Sequence, residues 1–95
     1  MLNSFTLRRS TGKQKFVITN DHTGHAVRFG AKGYQDFTQH KDKQRKRAYL
    51  KRHAKDSKSL KKAGFWARAL LWNETSLHRS IAKVQKDRNI RIRMK

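Results

Sequence analysis

The amino-acid sequence predicts a small α+β domain spanning residues 1–95, with a three-stranded antiparallel meander and a C-terminal strand covered by about three helices. Three observations support this fold class. The first third of the chain alternates apolar and polar residues between Gly-containing turns, which is typical of strands. The middle carries apolar residues at helical spacing. The last residues alternate again, as expected for a strand added to the edge of the sheet.

The meander is predicted from three short segments near the start of the chain. They comprise about residues 5–8, 15–20 and 25–30, and the turns between them contain Gly12 and Gly24. Gly favours such turns because it has no Cβ to restrict its backbone. On each strand two apolar residues share a face: Phe5 and Leu7, Phe16 and Ile18, Val27 and Phe29.

The first two helices are predicted after this sheet. One runs from about residue 39 to 55 and is capped by Asp36 or Thr38, because either side chain can accept hydrogen bonds from the exposed N–H groups of a first turn. A polar linker over residues 55–62 follows it. The second helix covers residues 63–73, AGFWARALLWN, the densest apolar stretch of the chain.

The third helix is predicted to begin at Thr75 or Ser76, since both residue types cap helices. Its apolar residues recur at i, i+4 and i+7, which places them on one buried face. After it the chain ends in NIRIRMK, where three apolar residues alternate with three cations. This alternation indicates a strand rather than a disordered basic tail, and it turns Ile90, Ile92 and Met94 towards the core.

The predicted core combines one face of the sheet with the apolar faces of the helices. Besides the strand residues already named, it comprises Phe65, Trp66, Leu70, Trp72, Leu77, Ile81 and Val84. The two Trp residues raise the alternative of base stacking, as on single-strand binding platforms. Core packing is favoured because both lie in the most apolar segment, and Tyr49 is interpreted as an anchor for its helix.

Composition favours an anionic partner. The chain carries 25 Lys and Arg against 6 Asp and Glu, a formal net charge of +19, with 35% hydrophobic residues and no Cys. Such self-repulsion opposes folding, and a polyanion relieves it. The absence of Cys excludes disulfides and Cys-based zinc sites. No apolar run reaches the ~20 residues of a membrane span, so no membrane span is expected. The N-terminal residues lack the apolar stretch of a secretory signal, so an intracellular or particle-internal location is expected.

The predicted polyanion-binding site is the run of cations between residues 41 and 62. A solvated protein face usually mixes charges of both signs, whereas this run contains only Asp42 and Asp56 as acids. Lys and Arg both neutralise phosphate, and Arg also binds carboxylates in a bidentate manner. The site residues are Lys41, Lys43, Arg45, Lys46, Arg47, Lys51, Arg52, Lys55, Lys58, Lys61 and Lys62.

Catalytic and metal sites are weakly indicated. No phosphate-binding Gly motif, nucleophile elbow or pair of neighbouring carboxylates is present. His40 and Asp42 could form part of a small nuclease site, but such a site needs further metal-holding acids or a second His. His22 and His25 could ligate zinc, but they lack a second ligand pair. The expectation is a protein that is not an enzyme and has no catalytic residues, metal, cofactor or small-molecule substrate.

Several motifs over residues 27–90 resemble a family of small basic proteins encoded by the large DNA viruses of algae and amoebae, the nucleocytoplasmic large DNA viruses. The resemblance is carried by His40-Lys41-Asp42, Arg45, Tyr49, Arg52-His53, Gly64-Phe65-Trp66, Leu70-Leu71-Trp72-Asn73 and Ser80-Ile81. Many members of that family have a Pro just after the Leu-Leu-Trp-Asn block, where this chain has Glu74-Thr75. The resemblance implies a viral setting and a place in the virion interior or capsid.

The leading hypothesis is therefore a non-enzymatic structural protein of a large DNA virus particle, either a minor capsid protein or an internal virion component. Its basic surface would bind other virion proteins, through acidic capsid surfaces, or nucleic acid, with DNA favoured over RNA in a virus of this type. The alternative is a ribosomal-type RNA-binding protein, which shares the size and charge. A small His-dependent nuclease is the third hypothesis.

Overall fold

The computed structural model describes residues 3–56 and 58–95, which form a four-stranded sheet and four helices. This confirms the predicted α+β class. The strands are β1 (Asn3–Arg9), β2 (Gln14–Asn20), β3 (Ala26–Ala31) and β4 (Ile90–Met94). The helices are α1 (Phe37–His40), α2 (Lys43–Arg52), α3 (Ala63–Trp66), which continues as a π-helical segment (Ala67–Leu71), and α4 (Leu77–Arg88).

The sheet has the strand order β3-β2-β1-β4. The first three strands form the predicted antiparallel meander, with Leu7 opposite Ile18 and Ile18 opposite Val27. β4 lies at the edge, as predicted, and pairs with β1 in parallel, which places Ile92 beside Phe5. The parallel direction follows from the helical connection, which carries the chain back across one face of the sheet before β4 begins.

The core lies between that face and the helices. Its buried members are Phe5, Leu7, Phe16, Ile18, Val27, Phe29, Phe65, Trp66, Leu70, Leu71, Ile81, Val84, Ile90 and Ile92. All predicted sheet residues except Met94 are among them. Trp66 has no exposed surface, and its Nε1–H donates to the carbonyl oxygen of Leu60 at 2.8 Å. The core interpretation is therefore confirmed for this Trp.

The prediction for Met94 is wrong. It shares a face with Ile90 and Ile92 and lies beside Leu7, but its side chain is 43% exposed. It lies near the end of the strand, beyond the cover of the helices. Trp72 and Leu77 are only partly buried and pack against the margin of the core, whereas Phe37 and Leu71, which the sequence analysis did not select, are buried.

The single helix predicted over residues 39–55 is also wrong, because the chain forms two shorter helices there. Asp36 caps α1 as one of the two predicted caps, and Asp42 caps α2. Between the helices Lys41 adopts a left-handed conformation with φ of 56°. A second N-cap residue just after α1 supplies a new start, so the chain changes direction instead of continuing one helix.

The helical layer approaches the sheet closely at Gly30. This residue has φ of +77°, and a Cβ placed on it would lie 2.6 Å from Cδ1 of Leu71. Only Gly fits such a conformation and such a contact. The π-helical segment thereby seats both Leu70 and Leu71 in the core and leaves the following Trp72 at the margin, where it meets α2.

The last helix, α4, agrees with the prediction. The Ser76 side chain accepts from the N–H of Arg79, and Ile81 and Val84 are buried. Asn89 ends the helix in a left-handed conformation. No helix in the described part of the chain is long and apolar enough to cross a bilayer.

Candidate polyanion-binding surface

The α2 helix carries the densest positive charge of the structure. Six of its ten residues are Lys or Arg, none is acidic, and none is buried. Its cations are Lys43, Arg45, Lys46, Arg47, Lys51 and Arg52. Like charges four residues apart, as at Lys43–Arg47 and Arg47–Lys51, destabilise a helix by about 0.2–0.5 kcal/mol per pair. Cations in the first turn also oppose the helix dipole, whereas Lys51 and Arg52 in the last turn suit it. The repulsion between like charges along α2 therefore works against the helix that carries them.

Aromatic stacking holds α2 onto the fold. The Tyr49 ring lies parallel to the Trp72 ring, with centroids 4.2 Å apart and planes 3° apart. The His53 ring stacks with Tyr49, also at 4.2 Å. Burial, and secondarily the charge of Asp56, raises the pKa of the Tyr49 phenol. Stacked with Trp72 and with His53, the Tyr49 ring acts as the anchor expected of it and is not offered to a nucleic-acid base.

Lys46 differs from the other cations of α2. It is half-buried, its Nζ donates to the carbonyl oxygen of Asn73, and the same atom lies 4.9 Å from the centroid of the Phe37 ring. It therefore joins α2 to α1 and to the end of the π-helical segment. Lys43, Arg45, Arg47, Lys51 and Arg52 are exposed and remain the binding candidates on this helix.

His40 and Asp42, the proposed nuclease pair, both take part in the turn between α1 and α2. Oδ1 of Asp42 accepts from the backbone N–H groups of Gln44 at 2.9 Å and Arg45 at 3.3 Å. Nδ1 of His40 accepts from the N–H of Asp42 at 2.9 Å, and its ring lies 5.2 Å from that of Trp72. These contacts give both residues a structural role in the turn between α1 and α2.

The contribution of Asp42 to the stability of α2 can be divided into hydrogen bonding and charge, because Asn caps helices as well as Asp does but carries no charge. Asp42→Ala is expected to lower the free energy of unfolding by about 1 kcal/mol, whereas Asp42→Asn should change it much less. Thermal or urea unfolding of both variants measures this difference. Equal destabilisation by both would mean that the charge of Asp42, rather than its hydrogen bonds, stabilises α2.

A cavity of about 420 Å³ borders α2 on one side. Arg45 and Arg52 line it together with Tyr34, which is 75% exposed. Its wall also contains an ion pair, in which Nζ of Lys15 lies 2.6 Å from Oδ2 of the buried Asp36. The charges of Lys15 and Asp36 cancel, so the uncompensated positive charge at this cavity comes from Arg45 and Arg52.

The structure does not gather all eleven predicted cations in one patch. Lys61 lines a depression with Asn20 and His25, at the opposite end of β2 and β3 from the cavity beside α2. A strand of seven residues spans about 20 Å, so these two groups are well separated. The backbone carbonyl oxygen of Lys58 accepts a hydrogen bond from Arg88 at the C-terminal end of α4. Three further cations are exposed and lie close in sequence to α2 or to Lys58 and Lys61: Lys41, Lys55 and Lys62.

Four arginines outside the predicted run share the uncovered face of the sheet: Arg8, Arg28, Arg91 and Arg93. Each alternates with a buried core residue on its strand, so strand periodicity was the signal that could have grouped them. The two His residues proposed for zinc, His22 and His25, are exposed near the β2–β3 turn. Within residues 3–56 and 58–95 no three His, Asp or Glu side chains lie close enough together to hold a metal ion.

Comparison with known proteins links the chain to one family model. The model, described as a family of unknown function (DUF5754), matches residues 5–53, which include the meander except the first two residues of β1, together with α1, α2 and the aromatic anchor Tyr49. No curated protein and no solved structure matches the chain. Because the match covers just over half of its 95 residues, the protein belongs to the family of unknown function DUF5754.

Proposed function

We propose that this protein is a non-enzymatic structural component of a large DNA virus particle that binds polyanions through α2. The viral setting rests on the resemblance of its motifs to small basic proteins of those viruses. Packaged DNA and acidic capsid surfaces are the partners that such a particle offers. The polyanion-binding role rests on the structure of α2 itself.

The observation that carries the proposal is the uncompensated charge of an exposed helix. Of the three ion pairs among the described residues, none involves a cation of α2. Its nearest acid in sequence, Asp42, is occupied with backbone N–H groups. A helix that carries this repulsion gains stability when a partner supplies negative charge, and phosphate or carboxylate groups do so through charge-assisted hydrogen bonds.

The salt dependence of binding tests the proposal. Each phosphate that a cation neutralises on duplex DNA contributes a slope of about −0.9 to a plot of log K against log salt concentration. Lys43, Arg47 and Lys51 form one exposed stripe of α2, and Gln at these positions keeps good helix propensity. The triple variant Lys43→Gln/Arg47→Gln/Lys51→Gln should therefore flatten the slope by up to about 2.7 units while stability holds or rises slightly.

A variant with the same loss of charge elsewhere is the control. Lys13→Gln/Lys32→Gln/Lys86→Gln removes three exposed cations from the turn before β2, the turn after β3 and α4, all outside the predicted site. Affinities for duplex DNA and for an acidic protein are measured over a salt titration, with thermal melts of each variant. Equal slopes for the parent and the α2 variant with both ligands would show that α2 is only a solvated face, and the proposal would be wrong.

A further inference from the structure

The face of the sheet that the helices leave open bears a set of arginines. Side chains alternate between the faces of a strand, so the neighbours of the core residues point away from the helical layer. On that face the charged residues of β1, β3 and β4 are Arg8, Arg28, Arg91 and Arg93, all exposed. Between them lie small neutral side chains: Ser4, Thr6, Val17, Thr19 and Ala26. We name the four arginines the arginine face.

The register spreads these charges over the sheet. Arg8 and Arg28 are both paired with Val17 of the strand between them, so they lie two strand spacings apart, about 9–10 Å. Arg91 and Arg93 lie two residues apart on β4, about 6.6 Å. They pair with Ser4 and Thr6 on β1, the strand that also carries Arg8. The result is a flat array of guanidinium groups rather than one cluster.

Most of this charge is free. Arg93 lies 3.5 Å from Asp21, whose other carboxylate oxygen accepts from the Thr6 hydroxyl at 2.7 Å. Arg8, Arg28 and Arg91 form no ion pair with any carboxylate of residues 3–56 and 58–95. Three arginines of the face therefore keep their charge for a partner.

The composition of the face favours a phosphate backbone as that partner. Protein interfaces depend on buried aromatic and aliphatic anchors, and among the described strand residues this face offers only Val17 and Ala26 as apolar side chains. Stacking of unpaired bases needs aromatic rings, and the face has none on its strands. Arg and small polar residues are suited to the regular anionic backbone of a double-stranded nucleic acid, where binding comes from counterion release.

The arginine face and α2 lie on different sides of the sheet. α2 packs on Trp72, which follows the π-helical segment of the helical layer, whereas the arginines project from the opposite face. We propose that the arginine face is a second binding surface, for the phosphate backbone of a double-stranded nucleic acid, and that one molecule thereby bridges two duplexes. The bridging function rests on the proposed role of α2 as the first surface.

The experiment captures one duplex with another. A biotinylated DNA duplex of 30 base pairs is held on beads, and recovery of a second, fluorescent duplex is measured with and without the protein at 0.1 M salt. The sheet variant Arg8→Gln/Arg28→Gln/Arg91→Gln leaves Arg93 with its Asp21 partner. A phosphate contact with a slope of about −0.9 strengthens binding about tenfold when the salt concentration falls from 1 M to 0.1 M. Loss of three such contacts should therefore lower recovery of the second duplex at 0.1 M salt at least tenfold. Binding of a single duplex through α2 should persist.

The outcomes separate this inference from the proposed function. The control Lys13→Gln/Lys32→Gln/Lys86→Gln should bridge like the parent, and the α2 variant, whose salt slope is flattened, should lose bridging. Bridging by the sheet variant at the level of the control would overturn the inference. A parent protein that binds one duplex but recovers no second one would overturn the inference and leave the role of α2 intact.

Two further probes test the ligand class. An RNA duplex of equal length should be bridged as well, because the proposed contacts are made to phosphates alone. Bridging of only one type of duplex would contradict binding through the phosphate backbone. Bead-bound polyglutamate supplies carboxylates without phosphate. If the sheet variant no longer binds polyglutamate but bridges DNA like the parent, the partner is an acidic protein and the inference is wrong. Thermal melts of the sheet variant should match the parent, since these side chains are exposed.

Discussion

Deletion of residues 90–95 is expected to abolish the folded state. The deletion removes β4, whose Ile90 and Ile92 are 5% and 7% exposed in the core. Loss of two such Ile side chains costs about 4–10 kcal/mol, and the hydrogen bonds to β1 are lost as well. A domain of this size has a free energy of unfolding of about 5–14 kcal/mol, so the loss is comparable with the whole stability of the fold. Circular dichroism and a thermal melt would show an unfolded chain without a cooperative transition.

Charge cannot explain such a loss, because the deletion lowers the formal net charge from +19 to +16 and so weakens self-repulsion. Asn89 is kept, so that α4 still ends in its left-handed cap. Arg91→Gln in the full-length chain is the control, since this outward side chain contributes charge but no core contact. A deletion variant that melts cooperatively near the temperature of the parent would show that β4 is a dispensable extension.

The strands could be predicted because their signal is local. Phe16 and Ile18 alternate with partly exposed neighbours, and so do Ile90 and Ile92, so burial on one face follows from sequence. Met94 continues the same alternation but lies exposed at the end of the strand. Periodicity states which way a side chain points, whereas its burial depends on how far the helical layer extends over the sheet.

The break between α1 and α2 was not predicted because it depends on competition between two caps. No Gly or Pro interrupts residues 37–52, and Lys41 is not a residue type that signals a left-handed turn. The signal that was present is Asp42, an N-cap residue followed by good helix formers. By charge alone Asp42 is an acid within a basic run, whereas its position before good helix formers marks the start of a helix.

The sequence predicts that many cations follow one another closely in the candidate site, but it does not show which of them share one surface. The cations of α2 lie together because one helix carries them. Lys61 was grouped with them by sequence position alone, and the structure places it at the other end of the sheet. Lys46 was assigned to binding, yet it bonds to Asn73, which is 27 residues distant in sequence. The separation of surface cations from tethered ones depends on tertiary contacts of this kind.

Tyr49→Ala is expected to release α2 from the rest of the fold. Tyr49 is the aromatic side chain of α2 that stacks on Trp72, and α2 has no buried residue to replace it. A free helix of ten residues is too short to be stable in water, and the like charges of α2 weaken it further. The lost packing amounts to about 2 kcal/mol, below the 3–5 kcal/mol of a fully buried aromatic residue because Tyr49 is only half-buried. Hydrogen exchange should show residues 43–52 losing protection while the sheet keeps it.

The same variant separates anchoring from binding. Its cations are unchanged, so a polyanion that reorders α2 meets the same charges and the slope of log K against log salt should stay as in the parent. The affinity itself should fall about 30-fold, which corresponds to 2 kcal/mol spent on ordering the helix. Tyr49→Phe keeps both ring contacts and should behave like the parent in exchange and in binding. If Tyr49→Ala flattened the slope as the α2 charge variant does, Tyr49 would contribute to the polyanion contact directly. If α2 kept its amide protection, the contacts of Lys46 would be sufficient to hold the helix, and the anchor role assigned to the Tyr49–Trp72 stack would be wrong.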